Sequence, residues 1–157
     1  DSLWEANMDL LNPKVPLDLY DSEWKIYSRN AGLPPHFIGS TAKVENSMIS
    51  EGCDIHGQVD FSVLFSGVTV EPGAEIRDSI IMPGARVEEN AIVQYAIVAE
   101  NAVIGKGSVV GARPEDMENK DEWGVAVVGS GCVLAPGTTV PPKAMIDADT
   151  LAEEGSK

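Results

Sequence analysis

The chain contains 157 residues, of which 43% are hydrophobic, and it carries a formal net charge of −14. This length predicts one domain with enough apolar side chains for a sizeable core. The excess of Asp and Glu argues against binding to nucleic acid or anionic membranes, because phosphate-rich partners require clustered Lys and Arg. No apolar run approaches the roughly 20 residues that span a bilayer. The sequence begins without Met or a signal peptide, as a fragment of a cytoplasmic protein would.

Residues 1–37 are predicted to form a short α-helix followed by an extended connector. Apolar residues recur at helical spacing from Ser2 to Asn12, and Pro13 ends the pattern. A helix this short is not stable alone, so we expect it to pack on the rest of the chain or on a segment outside it. The connector contains several prolines and a predicted strand at 24–27. A connector of this length usually bridges two parts of a protein.

Residues 38–146 carry a repeat of 17 residues. One aliphatic position recurs at spacings of 15, 17, 17 and 17 residues and is occupied in turn by Val44, Val59, Ile76, Val93 and Val110. Each full unit consists of a pentad and two hexads, and these blocks open with an aliphatic residue. Three blocks per unit predict three short strands per coil, with the aliphatic side chains pointing inward.

The fourth position of each hexad is where the chain must turn. Nine of the eleven complete hexads have Gly or Asn there, the residues that best tolerate a positive φ. These corner residues are Gly52, Gly67, Gly73, Gly84, Asn90, Asn101, Gly107, Gly131 and Gly137. The pentads carry Ser47, Ser62, Ser79 and Ala96 instead, which predicts a tighter corner of another geometry. The whole pattern predicts an all-β fold, a left-handed parallel β-helix of triangular section.

Two places depart from the repeat. The coil that begins at Val44 is two residues short, which predicts a compressed corner at His56 and Gly57. Residues 112–124 are charged and fit no hexad, so we expect an insertion there that forms a solvated loop or a short helix. The repeat then resumes and finishes at Met145, and residues 147–157 are predicted to be a polar C-terminal tail.

The sequence offers little material for catalysis. Its two histidines, His36 and His56, cannot supply a three-His zinc centre, and no Gly-rich phosphate loop or Ser/His/Asp arrangement is present. Cys53 and Cys132 occupy small inward positions and are expected to be reduced core residues. We therefore expect no catalytic residue, metal or cofactor in this chain. His56 is a candidate general base, although a structural role for it is favoured.

Several large apolar residues fall at positions that should point outward or lie at corners. They include Phe61, Phe65, Met82 and Tyr95, and Trp4 lies on the predicted helix. An exposed apolar row indicates a partner surface, either for another subunit or for a further domain. Contact with the N-terminal connector, which must lie on one of these faces, explains the row equally well.

Seven motifs are characteristic in their order and spacing. They are SLWEANMDL (2–10), LDLYD (17–21), WKIY (24–27), LPP (33–35), SEGC (50–53), SVLFSGVTV (62–70) and DSIIMP (78–83). Together they resemble bacterial glucose-1-phosphate adenylyltransferase, also called ADP-glucose pyrophosphorylase. The resemblance is strong up to about Val110 and looser beyond it.

The resemblance implies a two-part enzyme of which this chain is the C-terminal part. Members of the family join glucose 1-phosphate to ATP, using Mg²⁺, and release ADP-glucose and pyrophosphate for glycogen synthesis. Their N-terminal catalytic domain would precede Asp1, so this fragment is expected to be inactive. Their left-handed β-helix serves assembly, usually into homotetramers, and regulation by anionic metabolites. The implied partners are therefore the catalytic domain and other subunits of the same enzyme.

The resemblance also implies a regulatory corner formed by Ser50, Glu51, Gly52 and Gly67. Relatives with strong anion activation carry Ser-Gly-Gly-Cys where residues 50–53 of this chain are Ser-Glu-Gly-Cys, so Glu51 replaces the first Gly. Enterobacterial-type relatives carry a basic residue in place of Gly67. A carboxylate within about 5 Å of an anionic activator costs on the order of 1 kcal/mol. We therefore expect weak or absent activation. An ordinary role as corner residues also accounts for Ser50 and Gly52.

Two other interpretations remain. A hexapeptide-repeat acyltransferase would place a catalytic His on a coil, and His56 is the coil candidate. A β-helix module with a purely structural role would require no site at all. The N-terminal motifs favour the adenylyltransferase over both.

Overall fold

The computed structural model describes residues 2–14, 23 and 32–148. Within these residues, helix α1 (Ser2–Asp9) precedes a parallel β-solenoid of about six turns. Each strand pairs in parallel with strands of the neighbouring coils, which produces three sheets. We name them A, B and C in the order in which each coil contributes a strand to them.

The strands are short, with two or three residues each. Sheet A contains β1 (Phe37–Ile38), β4 (Asp54–Ile55), β7 (Thr69–Val70), β10 (Arg86–Val87) and β13 (Val103–Ile104). Sheet B contains β2 (Lys43–Glu45), β5 (Gln58–Asp60), β8 (Glu75–Arg77), β11 (Ile92–Gln94), β14 (Val109–Val110) and β16 (Thr139–Val140). Sheet C contains β3 (Met48–Ile49), β6 (Val63–Leu64), β9 (Ile80–Ile81), β12 (Ala96–Val98), β15 (Ala126–Val128) and β17 (Met145–Ile146).

The recurring aliphatic position fills the inside of the coil. Val59, Ile76, Val93 and Val110 pair in register along sheet B, and each is at most 1% exposed. Burying a Val or Ile side chain stabilises the fold by about 1.5–3 kcal/mol. Cys53 and Cys132 are buried and free, as expected. The predicted parallel β-helix is confirmed, while its left-handed sense stays a prediction.

The hexad corners follow the prediction, and the pentad corners add a feature that it missed. All nine predicted Gly and Asn residues have φ between 56° and 76°. In the pentads the left-handed residue lies one position before the serine or alanine: Asn46, Phe61, Asp78 and Tyr95 have φ of 42–46°. Phe and Tyr rarely adopt this conformation, so the packing of the surrounding coils must impose it on them.

Ser47, Ser62 and Ser79 form a hydrogen-bonded ladder through consecutive pentad corners. Each hydroxyl donates to the carbonyl two residues earlier, at 2.6–2.8 Å. Each also accepts a backbone N–H from the next coil at 3.1–3.2 Å, and Ala96 N–H is the last of these donors. Ser62 and Ser79 are completely buried. The ladder therefore satisfies amides at corners that water does not reach.

The predicted compressed corner is confirmed. Strand β4 ends at Ile55 and β5 begins at Gln58, which leaves only His56 and Gly57 between them. The same corner one coil later contains the four residues 71–74. The insertion that follows β14 contains two 3₁₀ turns, Pro114–Asp116 and Lys120–Glu122.

The N-terminal helix is shorter than predicted. It ends at Asp9 instead of Asn12, and Leu10, Leu11 and Asn12 donate to carbonyls three residues earlier in a tightened last turn. The Asn12 side chain then accepts the Lys14 N–H at 3.1 Å, a local bond that competes with continuation of the helix. The strand predicted at 24–27 and most of the predicted tail lie outside the described residues.

We expect Ser79→Ala to lower the free energy of unfolding by about 1–3 kcal/mol, because the buried Ala96 N–H would lose its acceptor. Urea denaturation monitored by circular dichroism measures the loss. Ser66→Ala, at a half-buried corner outside the ladder, is the control and should stay within about 0.5 kcal/mol. Equal losses in the two variants would contradict the role assigned to the ladder.

We expect Gly73→Ala to destabilise the protein more than Gly107→Ala, which lies in the same column of corners. A Cβ at Gly73 would lie 2.1 Å from Oδ1 of Asn90, whereas Gly107 has no atom within 4 Å of that position. Both changes carry the backbone cost of about 1–2 kcal/mol for a left-handed residue, so the difference isolates the contact with Asn90. A double-mutant cycle with Asn90→Gly should recover most of that difference. The hypothesis fails if Asn90→Gly gives no recovery.

Candidate regulatory and docking surfaces

The structure gives His56 a structural setting. Its Nε2 lies 2.8 Å from the Asp54 carboxylate, its ring is 5.8 Å from that of Phe37, and a Cβ on Gly39 would lie 2.4 Å from its Nδ1. The Asp54 carboxylate therefore occupies Nε2, and Gly39 leaves little space beside Nδ1, which does not favour a general base aimed at a substrate. In the described part of the chain, no three His, Cys, Asp or Glu residues are grouped so that they could hold a metal ion. The described residues also contain no helix that could span a membrane.

The four predicted regulatory residues lie together at two stacked corners between sheets C and A. Gly52 N–H donates to the carbonyl of Pro34 at 2.6 Å, and Gly67 N–H donates to that of Glu51 at 3.1 Å. The backbone of Ser50 pairs with Leu64 in the next coil. A Cβ on Gly52 would lie 2.8 Å from Leu33 Cδ1, so the end of the connector covers this corner. The regulatory role of these residues stays a prediction.

The electrostatics of this corner do not favour an anion. The corner column comprises residues 50–53, 65–68, 82–85, 99–102 and 129–132, and it contains Glu51 and Glu100 but no Lys or Arg. The N–H groups of Gly52 and Gly67 are already used within the protein, so they are not free to bind an anion. An anionic ligand would therefore need cations from another part of the protein.

The predicted apolar row is half-buried, because α1 packs on it. Trp4, Phe61, Phe65 and Met82 belong to one cluster with Met8 of α1, which is 5% exposed. The middle of this cluster consists of outward-pointing residues of sheet C. The expected contact was with the connector, most of which lies outside the described residues, and the cover that the structure shows is α1. A role in a subunit interface stays a prediction.

An aromatic junction joins α1, a pentad corner and the insertion. The Trp4 Nε1–H donates to the carbonyl of Asp78 at 2.7 Å, and the Tyr95 ring lies 5.9 Å from the ring of Trp4 and 5.3 Å from that of Trp123. The Trp123 Nε1–H donates to Ala112 at 2.8 Å, which closes the insertion on itself. Trp4 and Trp123 thus act as packing anchors for the segments outside the repeats. Asp78 was not predicted to take part in such a junction, although Asn46 occupies the equivalent corner and both residue types tolerate a positive φ.

A polar groove of about 290 Å³ lies beside this junction on the outer face of sheet B. Its lining comprises Lys43, Glu45, Gln58, Val59, Asp60, Ile76, Arg77, Asp78, Tyr95, Arg113 and Glu115. Lys43 pairs with Glu45 at 3.3 Å, and Arg77 pairs with Glu75 at 2.7 Å. Two further charged residues of the lining, Arg113 and Glu115, belong to the insertion and form one wall of the groove.

Asp78 lies where the groove meets the aromatic junction. Burial, followed by the neighbouring carboxylates of Asp60 and Glu115, raises the pKa of Asp78 to about 6, and a hydrogen bond with the Tyr95 hydroxyl opposes part of this increase. Burial and the charges of Asp78 and Glu115 raise the pKa of Tyr95 as well. Asp78 therefore binds α1 through its backbone and is crowded by negative charge at its side chain.

We expect Asp78→Asn to stabilise the protein at pH 7.5. The pKa of Asp78 rises from its ordinary value of 3.8 to about 6 in the folded protein, so the folded state binds the proton more tightly than the unfolded state. Protonation of Asp78 therefore stabilises the fold; this stabilisation is complete below pH 4 and is lost as the pH rises through 6. Removing the charge should raise the free energy of unfolding at pH 7.5 by about 1 kcal/mol, once screening at this half-buried group is allowed for.

Urea denaturation of the wild type and Asp78→Asn between pH 4 and pH 8 measures this effect. The difference between them should be small at pH 4 and should reach its full size above pH 6.5. Asp116→Asn, at an exposed position of the same insertion, serves as the control and should leave the pH profile unchanged. Parallel profiles for the wild type and Asp78→Asn would contradict the assignment.

Comparison with known proteins agrees with this architecture. Three curated relatives are glucose-1-phosphate adenylyltransferases of Bacillus thuringiensis (strain Al Hakam), Bacillus anthracis and Bacillus mycoides. Each is 48% identical over 154 residues, which is 98% of this chain but 33% of the relative. The chain thus spans about a third of the length of these relatives and corresponds to their C-terminal region.

The solenoid itself matches a family model. Residues 34–135, which include the first coil and most of those that follow, match the family described as GlmU-like, C-terminal hexapeptide. This match agrees with the parallel sheets and with the positive-φ corners described above. The chain therefore belongs to the GlmU-like C-terminal hexapeptide family.

Proposed function

We propose that this chain is the assembly and regulatory C-terminal domain of a nucleotidyltransferase that makes ADP-glucose and pyrophosphate from ATP and glucose 1-phosphate in glycogen synthesis. The observation that carries the proposal is the extent of the similarity: 48% identity to adenylyltransferases covers 98% of the chain. Hexapeptide coils occur in proteins with several functions, so a match to the coils alone would carry little weight. The similarity also includes α1 and the connector, which lie outside the repeats.

The chemistry belongs to a catalytic domain that precedes α1 in the full-length enzyme. Phosphoryl transfer with Mg²⁺ requires acidic metal ligands and groups that hold the phosphates. We assign both to that domain, since the relatives are about three times as long as this chain. The domain described above would then act on catalysis only through its contacts with the catalytic domain.

Assembly is the first role that we assign to this domain. Its flat sheets suit contacts between subunits, and the family resemblance favours a cytoplasmic homotetramer. Phe61, Phe65 and Met82 remain candidates for the interface where α1 leaves them half-buried. Light scattering coupled to size-exclusion chromatography of the full-length enzyme tests this role, and a strict monomer would contradict it.

Weak regulation by anionic metabolites is the second role. Glu51 places a carboxylate at the corner where strongly activated relatives have Gly, and the same corner column lacks Lys and Arg. Leu33 covers Gly52 in addition. These three features support low sensitivity to effectors such as fructose 1,6-bisphosphate.

We expect the full-length enzyme to form ADP-glucose from ATP, glucose 1-phosphate and Mg²⁺, and the isolated 157-residue chain to form none. Coupled detection of pyrophosphate, with chromatography of the nucleotide sugar, measures both. Synthesis by the isolated chain would contradict the division of roles. A folded full-length protein without this activity would contradict the proposed function.

We expect Glu51→Gly to make the full-length enzyme more sensitive to fructose 1,6-bisphosphate. Removing a repulsion of about 1 kcal/mol tightens binding about fivefold. Glu100→Gly is the matched control. Glu100 lies just before the corner residue Asn101, as Glu51 lies just before Gly52, and both corners belong to the same column. Activation curves for the three enzymes measure the effect. Several-fold stimulation of the wild type, or equal curves for Glu51→Gly and the wild type, would contradict the prediction.

A further inference from the structure

Sheet C is apolar on its outer face as well as on its inner face. The outward residues of its six strands are Met48, Val63, Ile80, Ile97, Val127 and Met145. The outer face of sheet B, in contrast, carries charged residues such as Glu45, Asp60 and Arg77. A sheet that is apolar on both faces needs a cover on each of them.

The cluster that contains helix α1 covers much of this outer face but does not include Met145. Val63, Ile80 and Ile97 are 7%, 0% and 8% exposed and share a cluster with Met8. Towards the last coil the cover ends, and Met145 is 75% exposed. A groove of about 410 Å³ opens there, which we call the Trp123 groove; its lining comprises Trp123, Gly124, Val125, Val127, Lys143 and Met145.

The start of α1 lies next to the Trp123 groove. Trp4, in the first turn of α1, is 5.9 Å from the ring of Tyr95, and Tyr95 is 5.3 Å from the ring of Trp123. An extended residue spans about 3.3 Å, so a few residues ahead of Ser2 are enough to reach the groove. The relatives align with this chain through their C-terminal third, so most of their length precedes α1.

We propose that the Trp123 groove docks the segment that immediately precedes Ser2 in the full-length protein. This inference rests on the proposed function, since it requires a catalytic domain ahead of α1. Val127 and Met145 would contact apolar side chains of that segment, and the Lys143 ammonium at the rim would pair with a carboxylate. The docked segment would extend the cover of sheet C from α1 to the last coil and would join the catalytic domain to the solenoid.

Hydrogen exchange of the full-length enzyme, measured by mass spectrometry, tests the docking. Met145→Asp places a charge in the groove, and Val133→Asp is the matched control, because Val133 is 63% exposed on another face. We expect exchange in the segment ahead of Ser2 to be several-fold faster in Met145→Asp than in the wild type and in Val133→Asp. Thermal melting of the isolated chain carrying each substitution should match the wild type, since both positions are exposed.

Three results would overturn the docking proposal. The first is equal exchange of the upstream segment in Met145→Asp and the wild type. The second is faster exchange at residues 125–128 when residues 149–157 are deleted, which would make the C-terminal tail the occupant. The third is concentration-dependent dimerisation of the isolated chain that Met145→Asp abolishes, which would make a second copy the occupant. Synthesis of ADP-glucose is measured separately, so a full-length protein that shows docking without activity would remove the proposed function and keep the docking.

Discussion

Equivalent residues of neighbouring coils must stack in register, and the strands, the corners and the outer faces all follow from this requirement. The backbone amides of the strands find their acceptors in neighbouring coils, since parallel strands of two or three residues make no bonds within themselves. At the pentad corners the side chains of Ser47, Ser62 and Ser79 take part in this pairing and accept amides from the next coil. Because those serines must lie at the inside of the corner, the residue before each of them is forced into a left-handed conformation.

That backbone conformation controls the outer surface of the solenoid as well. Phe61, Asp78 and Tyr95 project from the corners between sheets B and C because their φ angles are positive. Tyr95 then provides the ring on which Trp4 and Trp123 pack, and the Asp78 carbonyl accepts the Trp4 indole N–H. An eight-residue helix has little stability alone, so α1 depends on these contacts and on the apolar face of sheet C.

The insertion brings charge to the same place. Its Glu115 lies close enough to Asp78 to contribute to the raised pKa, and Arg113 completes one wall of the groove on sheet B. The corner column around Gly52 and Gly67 lies at another edge of the prism and has no cation of its own. The two surfaces therefore differ in chemistry: one is a crowded mixture of acids and bases, and the other is a backbone corner covered by Leu33. This difference favours a role for the junction in holding α1, and it agrees with weak anion regulation at the corner.

The solenoid, the positions of its hexad corners and the compressed corner at His56 and Gly57 could all be predicted from the amino-acid sequence. These features follow from local rules, because strand side chains alternate and only Gly and Asn readily adopt a left-handed corner. The packing of α1 on sheet C, the bond between the Trp4 indole and Asp78, and the contact of Trp4 with Trp123 through Tyr95 became visible in the folded structure. The contacts of Trp4 with Asp78 and Tyr95 join residues 74 or more positions apart in the chain, and a left-handed Phe or Tyr violates the local preference that a sequence pattern reports. The energy that favours them comes from packing between coils, which no single repeat contains.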